Sequence, residues 1–294
     1  MDYDADGILD FISGSYDPGD LYLFRGLGKG DYAKRELLRD ENGVPLVHHP
    51  KDLVIYHDLK KTRKKVDAAG KKSIYFRIAS FGSWPAMVDW DADGDLDMLI
   101  GTFSGQLYLR TNKGTRSEPV FAAKSVLIHL EGGPMRVQGH LAPVVVDWDG
   151  DGSWDIVAGS ADGSVCWFRN TGTKAKPEFA AKISLLPASA KTKSRTQYLG
   201  TDEDPARGTR AQICVADYNG DGKLDLLVGD YSDVWRQRTN LSEEELAELS
   251  GLAAKEKRVR DEKDTKSLTE LVQKKITFYE KKGRQSYIWL YLRN

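Results

Sequence analysis

The sequence is short of the residues that staple small domains or run chemistry. Two cysteines, five histidines and ten prolines are spread over 294 residues. Two thiols cannot frame a disulfide-built domain. Cys166 and Cys214 each lie in a short apolar run, in different parts of the chain, so both are expected to be buried free thiols. His48, His49, His57, His129 and His140 lack metal-ligand or catalytic spacing, and no nucleophile elbow, phosphate loop or dinucleotide fingerprint occurs. No apolar run approaches the ~20 residues of a membrane span. No signal-peptide pattern opens the chain either. Catalysis is therefore not the expected role. The remaining composition, 40% apolar and 30% charged, is ordinary for a soluble protein.

What the sequence has in quantity is aspartate at fixed spacing. Asp147 to Gly159 reads Asp, aromatic, Asp, small residue, Asp, Gly, any residue, Trp, Asp, three apolar residues, Gly, and the segments Asp2 to Gly14, Asp89 to Gly101 and Asp217 to Gly229 follow the same pattern. Oxygens at positions 1, 3, 5 and 9, with a backbone carbonyl at 7, can close around a hard cation. Calcium takes six to eight such oxygens, and a glycine at position 6 permits the sharp turn. The expected side-chain ligands are Asp2, Asp4, Asp6 and Asp10; Asp89, Asp91, Asp93 and Asp97; Asp147, Asp149, Asp151 and Asp155; Asp217, Asn219, Asp221 and Asp225. Ile8, Asp95, Ser153 and Lys223 would add carbonyls. Position 12 is Ser13, Ile100, Ala158 or Val228 rather than the bidentate Glu of an EF-hand, and the loop runs straight into a strand-length apolar segment. This predicts a β-hairpin calcium loop, with about four Ca²⁺ ions per chain. The competing reading is a metal-free Asx turn, which leaves several carboxylates crowded together without a counter-charge.

Charge follows the same division. Fifteen of the 44 acids are loop aspartates, leaving 29 against 43 bases elsewhere, while the formal total is −1. A basic remainder suits an anionic neighbour such as an acidic polysaccharide or a bacterial envelope, or else a solvated lysine-rich surface. The run Lys60 to Lys65 has no interleaved aromatics, so nucleic acid is not an expected partner.

The repeat extends beyond the loops. An apolar strand leads into three of them (Ala86 to Val88, Val144 to Val146, Ile213 to Val215), and an aromatic-rich strand ending in Arg follows all four: Leu21 to Arg25, Leu107 to Arg110, Val165 to Arg169, Ile288 to Arg293. Phe121 to Lys124 and Phe179 to Lys182 read as openings of fourth strands. Loop spacings of 87, 58 and 70 residues fit one four-stranded antiparallel blade each, plus insertions. Blades are expected around 1–43, 81–132, 141–186, and 211–235 with 284–294. The first lacks its leading strand, so an upstream segment is expected. Insertions are a possible strand at Leu53 to Tyr56, a polar loop at 187–210, and a helical hairpin at 241–283 within the last blade. Ser242 with Glu245 forms a capping box, with Leu241 stapled to Leu246, and Ser267 with Glu270 opens a second helix bearing the stripe Leu268, Leu271, Val272, Ile276 and Tyr279.

These loops, with the Leu-Tyr-Leu-Arg, Asn-x-Gly-Thr and Pro-x-Phe elements, resemble the FG-GAP or VCBS repeats of integrin-α-type β-propellers, in particular secreted bacterial ones. The resemblance covers most of residues 1–240 and 284–294. It implies an all-β propeller, calcium on the sixteen matching loop side chains, and an extracellular or periplasmic location. The expected function is binding or adhesion toward a protein or carbohydrate ligand. The alternatives are a carbohydrate-active enzyme resembling a polysaccharide lyase, and a structural module of a larger secreted protein. Trp84, Trp235 and Trp289 are candidate sugar-stacking faces, with Trp289 expected in the core instead. Tyr3, Trp90, Trp148 and Tyr218, recurrent at position 2, are expected to pack between blades.

Overall fold

The computed structural model describes residues 1–16, 19–46, 82–189, 195–262 and 264–293. The expected strand at Leu53 to Tyr56, the run Lys60 to Lys65, and His48, His49 and His57 lie outside them. The chain divides into two compact units: Met1–Ala188 with Arg210–Gly229 and Trp289–Asn294, and Ser189–Thr209 with Asp230–Ile288.

The first unit is mostly β, four antiparallel sheets in a ring-like series resembling a four-bladed β-propeller. Blade 1 has β1 (Phe11–Gly14), β2 (Leu21–Phe24) and β5 (Glu36–Leu37), with a small hairpin of β3 (Gly26–Gly28) and β4 (Asp31–Tyr32) between the last two. Blade 2 orders β6 (Ser83–Val88), β7 (Asp97–Thr102), β8 (Leu107–Arg110) and β9 (Val126–Leu127). A two-stranded ribbon of β10 (His129–Leu130) and β11 (Gly133–Pro134) leads to blade 3, which comprises β12 (Ala142–Val146), β13 (Asp155–Gly159), β14 (Val165–Phe168) and β15 (Ile183–Leu186). Blade 4 is built on β17 (Thr209–Ala216), β18 (Asp225–Gln237) and β19 (Tyr279–Tyr291).

Because side chains alternate across a strand, each blade has two apolar faces, and neighbouring blades bury them. Ile12, Leu21 and Leu23 of blade 1 meet Met98 and Ile100 of blade 2. Leu99, Leu107 and Leu109 meet Ile156, Cys166 and Phe168 of blade 3. Val157, Val165 and Trp167 meet Leu226, Val228, Trp289 and Tyr291 of blade 4. This explains why β7 and β13 are buried at every residue: each is a central strand covered on both sides. A fully buried Leu, Ile or Val contributes about 1.5–3 kcal/mol of transfer free energy, so these three cores dominate the unit's stability.

Backbone contacts repeat with the cores. Ser83 and Gly82 donate N–H bonds to the Ser15 and Tyr16 carbonyls at 3.2 and 2.8 Å, Leu141 and His140 to Thr102 and Phe103 at 3.0 Å each, and Ala211 and Arg210 to Ser160 and Ala161 at 3.0 Å each. The motif's closing glycine sits beside these bonds. A Cβ on Gly14, Gly101 or Gly159 would stand 1.8, 1.9 or 2.2 Å from a carbonyl oxygen of the next blade. Only a residue without a Cβ lets two backbones come this close.

Five expectations about elements are corrected. Phe121 and Phe179 do not open strands but make isolated bridges, Phe121 to Asn112 and Asp40 and Phe179 to Asn170 and Leu130, with the fourth strands β9 and β15 following a few residues later. Residues 187–210 are not simply a loop: β16 (Thr196–Leu199) pairs in parallel with residues Asp233 to Arg236 of β18. In the second unit α1 (Glu243–Asp261) starts at the expected capping box, Glu245 N–H to Ser242 Oγ at 3.2 Å and Ser242 N–H to Glu245 Oε2 at 2.8 Å. However, Leu246 is exposed while Leu241 packs with Leu249, Leu252 and Phe278, so the staple does not form. Helix α2 (Thr265–Ile276) begins earlier than read, because the Asp264 carboxylate accepts from Lys266 and Ser267 N–H at 3.1 and 3.2 Å and takes the cap from Ser267. Tyr279 belongs to β19.

Candidate metal sites

Each Asp-rich loop is held shut by its position-9 aspartate. Asp10, Asp97, Asp155 and Asp225 are all buried, and each uses one carboxylate oxygen on the backbone N–H of position 2: Tyr3 at 2.7 Å, Trp90 and Trp148 at 3.2 Å, Tyr218 at 3.0 Å. The other oxygen accepts from a residue at the end of the blade's third strand, Gly26, Asn112 or Asn170 at 2.7 Å or Arg293 at 2.9 Å. One carboxylate thus ties the loop entrance to the strand that closes the hairpin. Burial pushes Asp97 up to about 6, with Asp91 and Asp95 adding to the rise against the two N–H bonds. Asp155 is raised for the same first reason.

The clamp partners are what sequence reasoning missed. Their signal was the Asn of the Asn-x-Gly-Thr element: Asn112 Oδ1 accepts from Gly114 and Val120 N–H at 2.9 and 2.8 Å, and Asn170 does the same with Gly172 and Glu178 at 2.9 and 3.0 Å. That side chain shapes the turn while its own N–H binds the clamp.

The remaining loop positions converge beside this clamp, and in the third loop the clamp aspartate Asp155 joins them. Positions 4 and 6 take left-handed backbone, Ala5 and Ala92 at φ 61° and 62° and Gly7 and Gly94 at φ 86° and 96°, which explains the small residues there. The curl brings together carboxylate oxygens of Asp2, Asp4 and Asp6, of Asp89, Asp91 and Asp93, and of Asp147, Asp149 and Asp155, each set within 4.8 Å of one another. The loop at Asp217 forms no such carboxylate group among the described residues, since Asn219 replaces one acid. Asp151 and Asp221 turn an oxygen to the N–H of Ser153 and Lys223, both at 2.9 Å. Asp147 and Asp217 each accept three loop N–H bonds at 2.8–3.0 Å, the Asx-turn pattern.

Counter-charges divide the loops further. Arg25 pairs with Asp4 and reaches Glu36 at 3.2 Å, and Arg169 reaches Asp149 at 2.6 Å and Asp151 at 3.3 Å. The residue preceding the clamp partner is Thr111 in blade 2 and Leu292 in blade 4. Arg110, read as the counterpart of Arg25, instead pairs with Met98 across the sheet and donates to the Ala122 carbonyl at 2.7 Å. The loop at Asp89 therefore holds Asp89, Asp91, Asp93, Asp95 and Asp97 with no Lys or Arg paired to them among the described residues. Buried oxygens without a hydrogen-bond donor remain at Asp89, Asp95, Asp2, Asp4 and Asp149. Hard, anionic, unpartnered oxygens in a tight curl fit a calcium ion.

A family model described as an FG-GAP-like repeat matches residues 147–228, which hold the third and fourth loops. That segment carries an FG-GAP-like repeat. No curated protein matches it. A solved structure of the Photorhabdus luminescens Tc holotoxin pore aligns at 15% identity and a TM-score of 0.34, over 76% of this chain and 8% of that one.

Other expected site residues find ordinary places around the FG-GAP loops. Tyr3, Trp90 and Trp148 lie in the inter-blade cores, whereas Tyr218 is exposed. Trp289 is part of the third core. Trp84 lies against His140, ring centroids 5.3 Å apart, and Lys281 lies over Trp235 at 5.9 Å. Cys166 is buried and free and Cys214 exposed and free, so the expectation of burial fails for Cys214. No described helix is long and apolar enough to cross a membrane.

Proposed function

We propose that this chain is a calcium-stabilised β-propeller module of an extracellular or periplasmic protein, serving to bind a protein or acidic polysaccharide. The observation that carries the reading is the loop at Asp89, where five aspartates gather without a basic partner among the described residues and two of their buried oxygens lack a donor there. Asp89, Asp91 and Asp93, with the Asp95 carbonyl and Asp97, would hold the ion. When bound, it supplies the positive charge that keeps these carboxylates ionised and close. Asp4 and Asp149 would face the ion with an arginine already beside them, and the loop at Asp217 has one acid fewer.

Exported modules use weak calcium sites of this kind where the ion is plentiful, which supports the location. The anionic-ligand reading draws on the basic balance of the chain outside the loops and on a polar cleft of about 480 Å³ lined by Ser104, Arg136, Gln138, Gly139 and Lys182. Calorimetric titration tests the metal assignment. Asp93→Ala should remove the tightest calcium-binding phase, and Asp221→Ala should remove a weak one or none. Loss of the tightest phase in Asp221→Ala would overturn the ranking, and no heat in the wild-type chain would overturn the metal reading.

A further inference from the structure

The repeat gives each blade a face toward the blade before it and a face toward the blade after it. At the two ends of the series no described residue forms a further blade over these faces. The position that opens the third strand shows it most clearly: Leu21, Leu107 and Val165 are each 0% exposed beneath the following blade, and Ile288 is 77% exposed. The same holds two residues on, where Leu23, Leu109 and Trp167 enter inter-blade cores and Leu290 is 41% exposed. The position-2 aromatics repeat the step, Tyr3 at 4% and Trp148 at 8% against Tyr218 at 63%. The closing glycine agrees: no next-blade backbone approaches Gly229, whose nearest neighbour is the Gln212 carbonyl 3.7 Å away in its own blade.

The opposite face is bare on blade 1. Met98 with Arg110, and Ile156 with Phe168, are cross-strand pairs buried toward the preceding blade. Their counterpart is Phe11 with Phe24, stacked at 4.3 Å, with Tyr32 edge-on at 4.8 Å and Phe11 41% exposed. The two uncovered faces are thus the two halves of a fourth junction of the type formed three times within the unit, and they continue that established interface at either end.

We infer that a second copy of this chain supplies the missing half. The Phe11–Phe24 face of one molecule would pack on the Tyr218, Leu227 and Leu290 face of another, a heterologous contact that closes into a ring or propagates. Large exposed apolar faces mark such interaction surfaces. The test is molar mass by light scattering across a concentration series. Wild-type mass should rise with concentration. Phe11→Lys and Leu290→Lys should each be monomeric throughout, with circular dichroism and melting unchanged because both sites are exposed, and Tyr218→Lys should repeat the second result. An equimolar mixture of Phe11→Lys and Leu290→Lys should form dimers and nothing larger, since each variant keeps the half the other has lost. A monomeric wild type, association that survives either variant, or sensitivity to Leu290→Lys alone would overturn the proposal. So would variants that lower the melting point of a monomeric wild type, which would mean that the two faces meet within one chain.

Discussion

The aspartates of one loop do two different jobs, and burial separates them. Asp97 is 1% exposed and accepts with both oxygens, from the backbone N–H groups of Trp90 and Asn112, 7 and 15 residues away along the chain. Asp93 lies exposed in the curl. Removing the Asp97 carboxylate would strand two donors, one of them buried, at about 1–3 kcal/mol each. Asp97→Ala should therefore cost about 2–5 kcal/mol in urea unfolding with chelator present, whereas Asp93→Ala should cost stability only when calcium is present. Equal losses in chelator would show that the clamp is not a separate structural element. The sequence made all sixteen loop positions legible as one repeated pattern. It did not separate clamp from curl, because a hydrogen bond to a residue 15 positions away leaves no spacing signal.

At the scale of the element, the closing glycine ties sequence to packing. A strand interior disfavours glycine, so its recurrence marks a demand from outside the strand, met here by the carbonyl of the next blade. Gly101→Ala would place a Cβ 1.9 Å from the Leu141 carbonyl and should lower the melting temperature by several degrees or prevent folding. Gly229→Ala meets nothing closer than 3.7 Å and should melt within about one degree of wild type, since surface substitutions are usually within about 0.5 kcal/mol. Comparable losses at the two sites would refute the inter-blade account. The helices were legible from local signals, the Ser242 box above all. Their boundaries were less so: an ionised carboxylate at Asp264 competes for the cap with the hydroxyl read from Ser267, and strand pairing rather than helical periodicity claims Tyr279.

Across the whole molecule, four loops in one register implied four blades, and the sheets follow that plan. The ends of the series were not legible. Tyr218 has the same sequence context as Tyr3, Trp90 and Trp148, yet no blade among the described residues covers it and it is exposed. Nor did the sequence disclose the long arms β18 and β19 or the parallel strand β16, whose pairing depends on partners distant in sequence.

Calcium should stabilise the fold, because the curls gather charge that the protein itself only partly offsets. Arginines serve the loops at Asp2 and Asp147, while the loop at Asp89 has none among the described residues. Thermal melting followed by circular dichroism, in chelator and across a calcium series, tests this directly. The melting temperature should rise with calcium as expected for an ion bound by the folded state alone, and magnesium should do much less because it prefers tight octahedral geometry and keeps its waters. Superimposable curves in chelator, calcium and magnesium would contradict the account.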